Sequence, residues 1–158
     1  MEDLFFQREE LMSTGVLDRI ESAWAKDSIL DLSDIETAQK DSLELHHKYH
    51  KIFNTVKMKL KRLESEYAKL SFLRTEYYLG NLDRDTLKAY DWKPNQRIVI
   101  KTDMAQRLAA DDILIDKGLE VAEMAQAANF LDNIIRHINN RGFAIKNVVE
   151  SRKFNNGN

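Results

Sequence analysis

The chain has no cysteine and a single proline in 158 residues. The missing thiols exclude disulfides and thiolate metal sites, which fits a reducing cytosol. No run of about 18 apolar residues occurs, so no transmembrane helix is expected. The opening residues, MEDLFFQREE, are acidic and lack a cationic start before an apolar stretch, which argues against a secretory signal. No GxxxxGK loop is present to cradle a phosphate, so ATP use by this chain is not expected. One absence is local. From Leu45 to Leu63 there is no Asp or Glu at all.

What remains is 43% hydrophobic and 32% charged, the mixture of long, solvated helices in about one domain. The formal charge of −2 is unevenly spread. Residues 1–44 carry 4 basic and 12 acidic groups, residues 45–101 carry 13 and 6, and residues 102–158 carry 7 and 8. An acidic head thus precedes a basic middle.

Residues 1–16 read as an N-terminal extension, with Leu4, Phe5 and Phe6 too few to build a core. A short helix is expected over 17–26. Ser33-Asp34-Ile35-Glu36 reads as a capping box, a hydroxyl followed three residues later by a carboxylate. No Pro or Gly then intervenes before Gly80, so one long helix is expected over about 34–79, roughly 70 Å at 1.5 Å per residue. Its apolar stripe runs Leu45, Tyr49, Ile52, Val56, Leu60, Leu63, Tyr67, Leu70, Leu73 or Arg74, then Tyr77. The steps alternate four and three except from Ile52 to Leu60, a stutter in the heptad. Gly80 suits a left-handed cap.

Residues 81–101 read as a connector, with a short strand possible at Arg97–Lys101. A second long helix is expected over about 112–140, its stripe running through Leu114, Gly118, Val121, Met124, Ala128, Leu131, Ile135 and Ile138. Gly142 is expected to break it, leaving a C-terminal helix over about 143–154. The fold class is therefore mainly α, with long amphipathic, coiled-coil-like helices forming a helical hairpin plus a short C-terminal helix in one domain over 17–158. So much striped helix outruns the segments available to cover it, which predicts self-association. Leu131, Ile135, Ile138, Phe143, Ile145, Val148 and Val149 are the candidate self-contact residues.

The acid-free window holds Lys48, Lys51, Lys57, Lys59, Lys61 and Arg62 beside His46, His47 and His50. Such a run is best neutralised by a polyanion, and nucleic acid gains from counterion release. A solvated coiled-coil face is the plainer alternative, but such faces mix Glu with Lys. A membrane-surface helix is disfavoured, because Leu60 and Leu63 sit in the seam and the other side lacks bulky apolar residues. Phe72, Tyr77 and Tyr78 lie near Lys69 and Arg74, a combination suited to stacking bases while cations follow a strand. The candidate strand-binding residues are Lys57, Lys59, Lys61, Arg62, Lys69, Arg74, Tyr77 and Tyr78. His46 and His50 are one turn apart, but HHKYH brings no third ligand, so no metal and no cofactor are expected. Glu64, Glu66 and the pair Asp111-Asp112 read as solvated helix acids, so no catalytic residue is expected.

Two segments carry a family resemblance. Asn140-Arg141-Gly142-Phe143-Ala144-Ile145-Lys146, followed by Glu150, Arg152 and Phe154, resembles the end of the UvsY family, the recombination mediators of T-even-type phages. Arg74-Thr75-Glu76-Tyr77-Tyr78-Leu79-Gly80 resembles the same family's basic segment with its Tyr pair. The likeness covers roughly 17–158. It implies a non-enzymatic protein of the host cytoplasm that forms ring-like homo-oligomers, hexameric or heptameric, and binds single-stranded DNA. It also implies two protein partners: a RecA-like phage recombinase, and the phage single-strand-binding protein that it displaces as the filament nucleates. The family's Lys-x-Arg-Leu stretch is altered here. Arg74 matches its Arg, while Phe72 replaces the Lys and Thr75 the Leu. The cluster from Lys57 to Arg62, with Lys69, supplies replacement charge. The family's C-terminal region is associated with self-assembly. The rival function is a structural coiled-coil adaptor acting only through protein contacts.

Overall fold

The computed structural model describes residues 15–157. They form five helices: α1 (Val16–Asp27), α2 (Ile35–Leu79), α3 (Arg84–Ala89), α4 (Met104–Ala109) and α5 (Asp112–Asn156). No strand occurs among the described residues. The expectation for Leu4, Phe5 and Phe6 falls outside them. Packing divides the chain into two units. One takes the chain up to Met58 and again from Glu123 onward, and the other is Lys59–Ala122.

In the first unit α1 presents Val16, Ile20 and Ala23, spaced four and three apart, to the core. The same unit buries Tyr49, Ile52 and Val56 of α2, and Met124, Leu131, Ile134, Ile138 and Ile145 of α5. Trp24 packs edge-on against Tyr49 at 5.4 Å between centroids. The Tyr49 hydroxyl donates to Asp27 Oδ2 at 2.9 Å, and Lys48 Nζ donates to the same oxygen at 2.7 Å. Arg141 Nη2 donates to the Asp27 carbonyl at 2.8 Å, while its guanidinium lies 5.2 Å from the Trp24 ring centre. A cation therefore satisfies a carbonyl at the C-terminal end of α1, where the helix dipole favours it.

In the second unit Leu63, Arg74 and Tyr78 of α2 are buried with Leu114 of α5 and Asp111 just before it. α2 ends at Gly80, whose φ of 75° lets Asn81 N–H reach back to Glu76 O at 2.9 Å and Gly80 N–H to Tyr77 O at 3.1 Å. That pair of bonds is a Schellman cap. Asp83 caps α3 by accepting from Thr86 N–H at 2.7 Å. α3 closes with a second Schellman cap around Asp91, where φ is 54°: Trp92 N–H reaches Leu87 O at 2.9 Å and Asp91 N–H reaches Lys88 O at 3.2 Å.

Three local expectations are corrected. The cap of α2 is Asp34 rather than Ser33, because Asp34 Oδ1 accepts from Glu36 N–H at 3.1 Å and Thr37 N–H at 3.2 Å. A carboxylate one residue nearer the helix wins over the hydroxyl. The strand at Arg97–Lys101 does not form; Val99 N–H instead donates to Tyr78 O at 3.0 Å, pinning this segment to the end of α2. Gly142 does not break α5, which runs unbroken from Asp112 to Asn156 in place of the two helices expected at 112–140 and 143–154. A single Gly costs a helix only about 1 kcal/mol relative to Ala, and Ile138, Arg141 and Ile145 hold that stretch against the core.

Candidate nucleic-acid interface

The expected strand-binding residues separate into two sets. Lys61, Arg62 and Lys69 are exposed on α2 within the second unit, with Lys59 half-buried on the same helix. Lys61 Nζ approaches Glu64 at 3.6 Å, but the lysine side chain is 78% exposed and the pair is weak. Phe72, three residues past Lys69, is 64% exposed. Lys57 belongs to the first unit, where it is exposed and its amine lies 5.4 Å from the Phe53 ring centre. These residues remain able to face a strand.

Arg74, Tyr77 and Tyr78 are placed differently. Arg74 is buried, with Nε donating to Asp111 Oδ2 at 2.7 Å and Nη2 donating to the Tyr78 hydroxyl at 3.1 Å. Its guanidinium lies 4.4, 5.0 and 4.6 Å from the ring centres of Tyr77, Tyr78 and Trp92. The Tyr78 hydroxyl donates to Asp111 Oδ2 at 2.6 Å. Tyr77 is half-buried, donates to Lys93 O at 2.9 Å and meets Trp92 edge-on. Arg74 and Tyr78, expected as strand contacts, are placed by the structure in the internal frame of the unit, 8% and 6% exposed. The Tyr78 hydroxyl has given its proton to Asp111, whereas Arg74 keeps N–H groups beyond the two it donates within the unit.

Asp111 is corrected as well, from solvated helix acid to buried counter-ion. Burial pushes its carboxyl upward. The Tyr78 and Arg74 hydrogen bonds, the Leu114 N–H and the Arg74 charge together outweigh this and hold it below 3.8. The Tyr78 phenol is raised, first by burial and then by its bond to Asp111. One signal in the sequence pointed here. Arg74 competes with Leu73 for a seam position, and a cation in a seam needs a buried anion.

The connector adds a second basic set. Arg84, Lys88, Lys93, Arg97 and Lys101 are all exposed and have no ion-pair partner among the described residues. Arg107 is also exposed and lies 5.3 Å from the Tyr78 ring centre. Meanwhile two acids of this unit are engaged, since Lys117 Nζ bonds Glu66 at 3.0 Å and Glu120 at 2.9 Å.

The first unit offers a contrast. An open cleft of about 840 Å³ there sets Lys26, Lys48, Lys51 and Arg141 against Asp27, Asp31, Asp34, Asp41 and Glu44. Balanced charge of that kind does not gather a polyanion. His46 and His50 stack at 5.9 Å, with Asn54 bonded to the His50 ring at 3.2 Å.

Of the expected self-contact residues, Leu131, Ile138 and Ile145 are buried inside the first unit. The structure thus places these three in the core of the unit. Ile135, Val148 and Val149 are half-buried, and Phe143 is 70% exposed. Among the described residues no helix is long and apolar enough to cross a membrane.

A family model described as "Recombination, repair and ssDNA binding protein UvsY" matches residues 23–158. The chain belongs to the UvsY family. It is 22% identical over 141 residues to the recombination protein uvsY of Enterobacteria phage T4, a match covering 89% of this chain and 98% of that protein. Its fold matches a crystal structure of the bacteriophage T4 recombination mediator protein UvsY with a TM-score of 0.77 at 22% identity, covering 88% of this chain and 96% of that one. A second crystal form of the T4 protein gives a TM-score of 0.76 at 21% identity, covering 87% and 98%. This UvsY-family chain therefore has the T4 fold and belongs among recombination, repair and single-stranded-DNA-binding proteins.

Proposed function

We propose that this protein is a recombination mediator. It binds single-stranded DNA and promotes loading of a RecA-like phage recombinase onto DNA coated by single-strand-binding protein. One observation carries this reading: exposed Lys61, Arg62 and Lys69 stand on α2 in a chain whose family is described by single-stranded-DNA binding. The protein works in the host cytoplasm as a homo-oligomer, without a cofactor and without catalysing a reaction. A ring of copies multiplies a weak cationic patch, because linked sites raise effective concentration. The strand is held by phosphate neutralisation and is read almost without regard to sequence. Organising it over a positive surface loosens its coat and presents it to the recombinase.

Two measurements test this. Anisotropy titrations of oligo(dT) at several salt concentrations should give a log–log slope of about 0.7 per neutralised phosphate. Charge reversal of Lys61, Arg62 and Lys69 to Glu should lower both affinity and slope. A purified recombinase on coated DNA should then assemble filaments faster with the parent protein than with that variant. Equal assembly with and without the parent rejects the mediator role, and a salt-independent or absent interaction with oligo(dT) leaves the adaptor reading.

A further inference from the structure

The aromatic residues expected to stack on bases, Tyr77 and Tyr78, are occupied, and the second unit carries a better platform in its connector. Tyr90 is 41% exposed and stacks on Trp92 at 4.8 Å between centroids, with 30° between planes. Its hydroxyl makes no hydrogen bond among the described residues. Trp92, by contrast, is fully engaged. Tyr77 meets it edge-on at 5.6 Å and Arg74 lies 4.6 Å from its centre.

The backbone explains why this pair is fixed. Tyr90 is the C-cap of α3, and Asp91 at φ 54° turns the chain so that Trp92 N–H bonds back to Leu87 O. The turn brings Trp92 beside Tyr90 and against the Arg74 guanidinium. Tyr90 is thus the outer member of a ring column anchored in the core. Its stiffness matters, because a ring already immobilised loses little rotamer freedom when a base lands on it.

Charge around the column suits a phosphate backbone. Lys88 lies two residues before Tyr90 and Lys93 three after; both are exposed, and neither has an ion-pair partner among the described residues. Asp91 is the exposed acid beside the ring. It repels phosphate at that point, leaving the ring face for a base and the flanking lysines for the backbone. An aromatic with flanking cations is the usual platform for an unpaired strand.

We propose that Tyr90 is a base-stacking contact for single-stranded nucleic acid, positioned by Trp92 and flanked by Lys88 and Lys93. This rests on the strand-binding reading above. The full-length protein is titrated with oligo(dT) and with an abasic deoxyribose-phosphate oligomer of equal length and charge. Tyr90→Leu should weaken oligo(dT) binding roughly 5- to 150-fold, the range of one lost base stack, and leave the abasic oligomer unaffected. Tyr90→Phe, which keeps the ring, should bind like the parent. A Tyr90→Leu protein that binds oligo(dT) as tightly as the parent overturns the proposal. So does equal loss on both oligomers, or a changed sedimentation profile, which would mark a structural or subunit contact. A parent that binds neither oligomer would instead overturn the strand-binding reading itself.

Discussion

Arg74 Nε and Asp111 Oδ2 lie 2.7 Å apart on side chains that are only 9% and 1% exposed, joining the last turns of α2 to the start of α5 in the second unit. The carboxylate also accepts from Tyr78 at 2.6 Å and, through Oδ1, from Leu114 N–H at 3.2 Å. Both oxygens of the Asp111 carboxylate are therefore hydrogen-bonded, which helps a buried ion pair to be tolerated. The motif that looks like a DNA contact in the sequence is the keystone of the unit that displays the connector.

Removing one side of this pair should be costly. Arg74→Ala leaves a buried carboxylate without its cation and should destabilise the protein by about 3–5 kcal/mol. The double variant with Asp111→Ala should cost less than the sum of the singles, because it removes the stranded charge. Urea titrations followed by circular dichroism measure all three. A stable Arg74→Ala protein that has lost only strand affinity would return Arg74 to the interface.

Acid should act through the same pair. A carboxyl held below its unfolded value adds stability that is fully present above about pH 4 and is lost as pH falls through the folded value. Asp31, Asp34 and Asp83 are lowered too, each first by hydrogen bonds to neighbouring Ser or Thr residues, so they share the same acid limb. Asp111→Asn should lower the melting temperature at neutral pH and make it fall less steeply on acidification. Parallel melting curves for variant and parent across that range would count against an ionised Asp111.

The sequence shows long helices because breakers are absent from residues 34–79, and α2 occupies that stretch as Ile35–Leu79. It also shows the basic window, because charge needs no fold to be counted. What it hides is partnership across the chain. Asp111 lies 37 residues from Arg74, so no local pattern reveals a buried pair. Leu131 and Ile138 read as a seam either way, and whether a helix of the same chain or of another copy covers them is decided by packing. Gly142 reads as a stop when seen alone and as a tolerated cost once its neighbours are anchored.

That cost is measurable. A Cβ at Gly142 would meet nothing within 4 Å, and the residue sits inside α5. Gly142→Ala should therefore stabilise the protein by about 0.5–1 kcal/mol through helix propensity. Thermal melts decide this; a lower melting temperature would mean that this stretch needs the glycine for something other than helix formation.

Asp91 presents the opposite case. A non-glycine residue at φ 54° bears local strain that glycine would not. Asp91→Gly should stabilise by about 0.5–1 kcal/mol, and Asp91→Asn, which removes the charge but tolerates the same conformation, should change stability less. Asp91→Val should lose stability, because a β-branched residue fits the left-handed region poorly. Equal stability of all three variants would show that the Schellman turn ending α3 does not hold in solution.

Self-association should run through the outer face of α5. Phe143 and Phe154 are 70% and 76% exposed, and their spacing of eleven residues is close to three turns, so they share one side of the helix. Burying a phenylalanine contributes about 1.5–3 kcal/mol, so two of them at one subunit contact shift its dissociation constant by well over 10-fold. Phe143→Ser with Phe154→Ser should shift sedimentation toward smaller species at unchanged helicity. Leu131→Ser should instead unfold the first unit, since that side chain is completely buried. A parent that sediments as a monomer rejects assembly altogether, whereas a double variant that assembles like the parent moves the contact to another face.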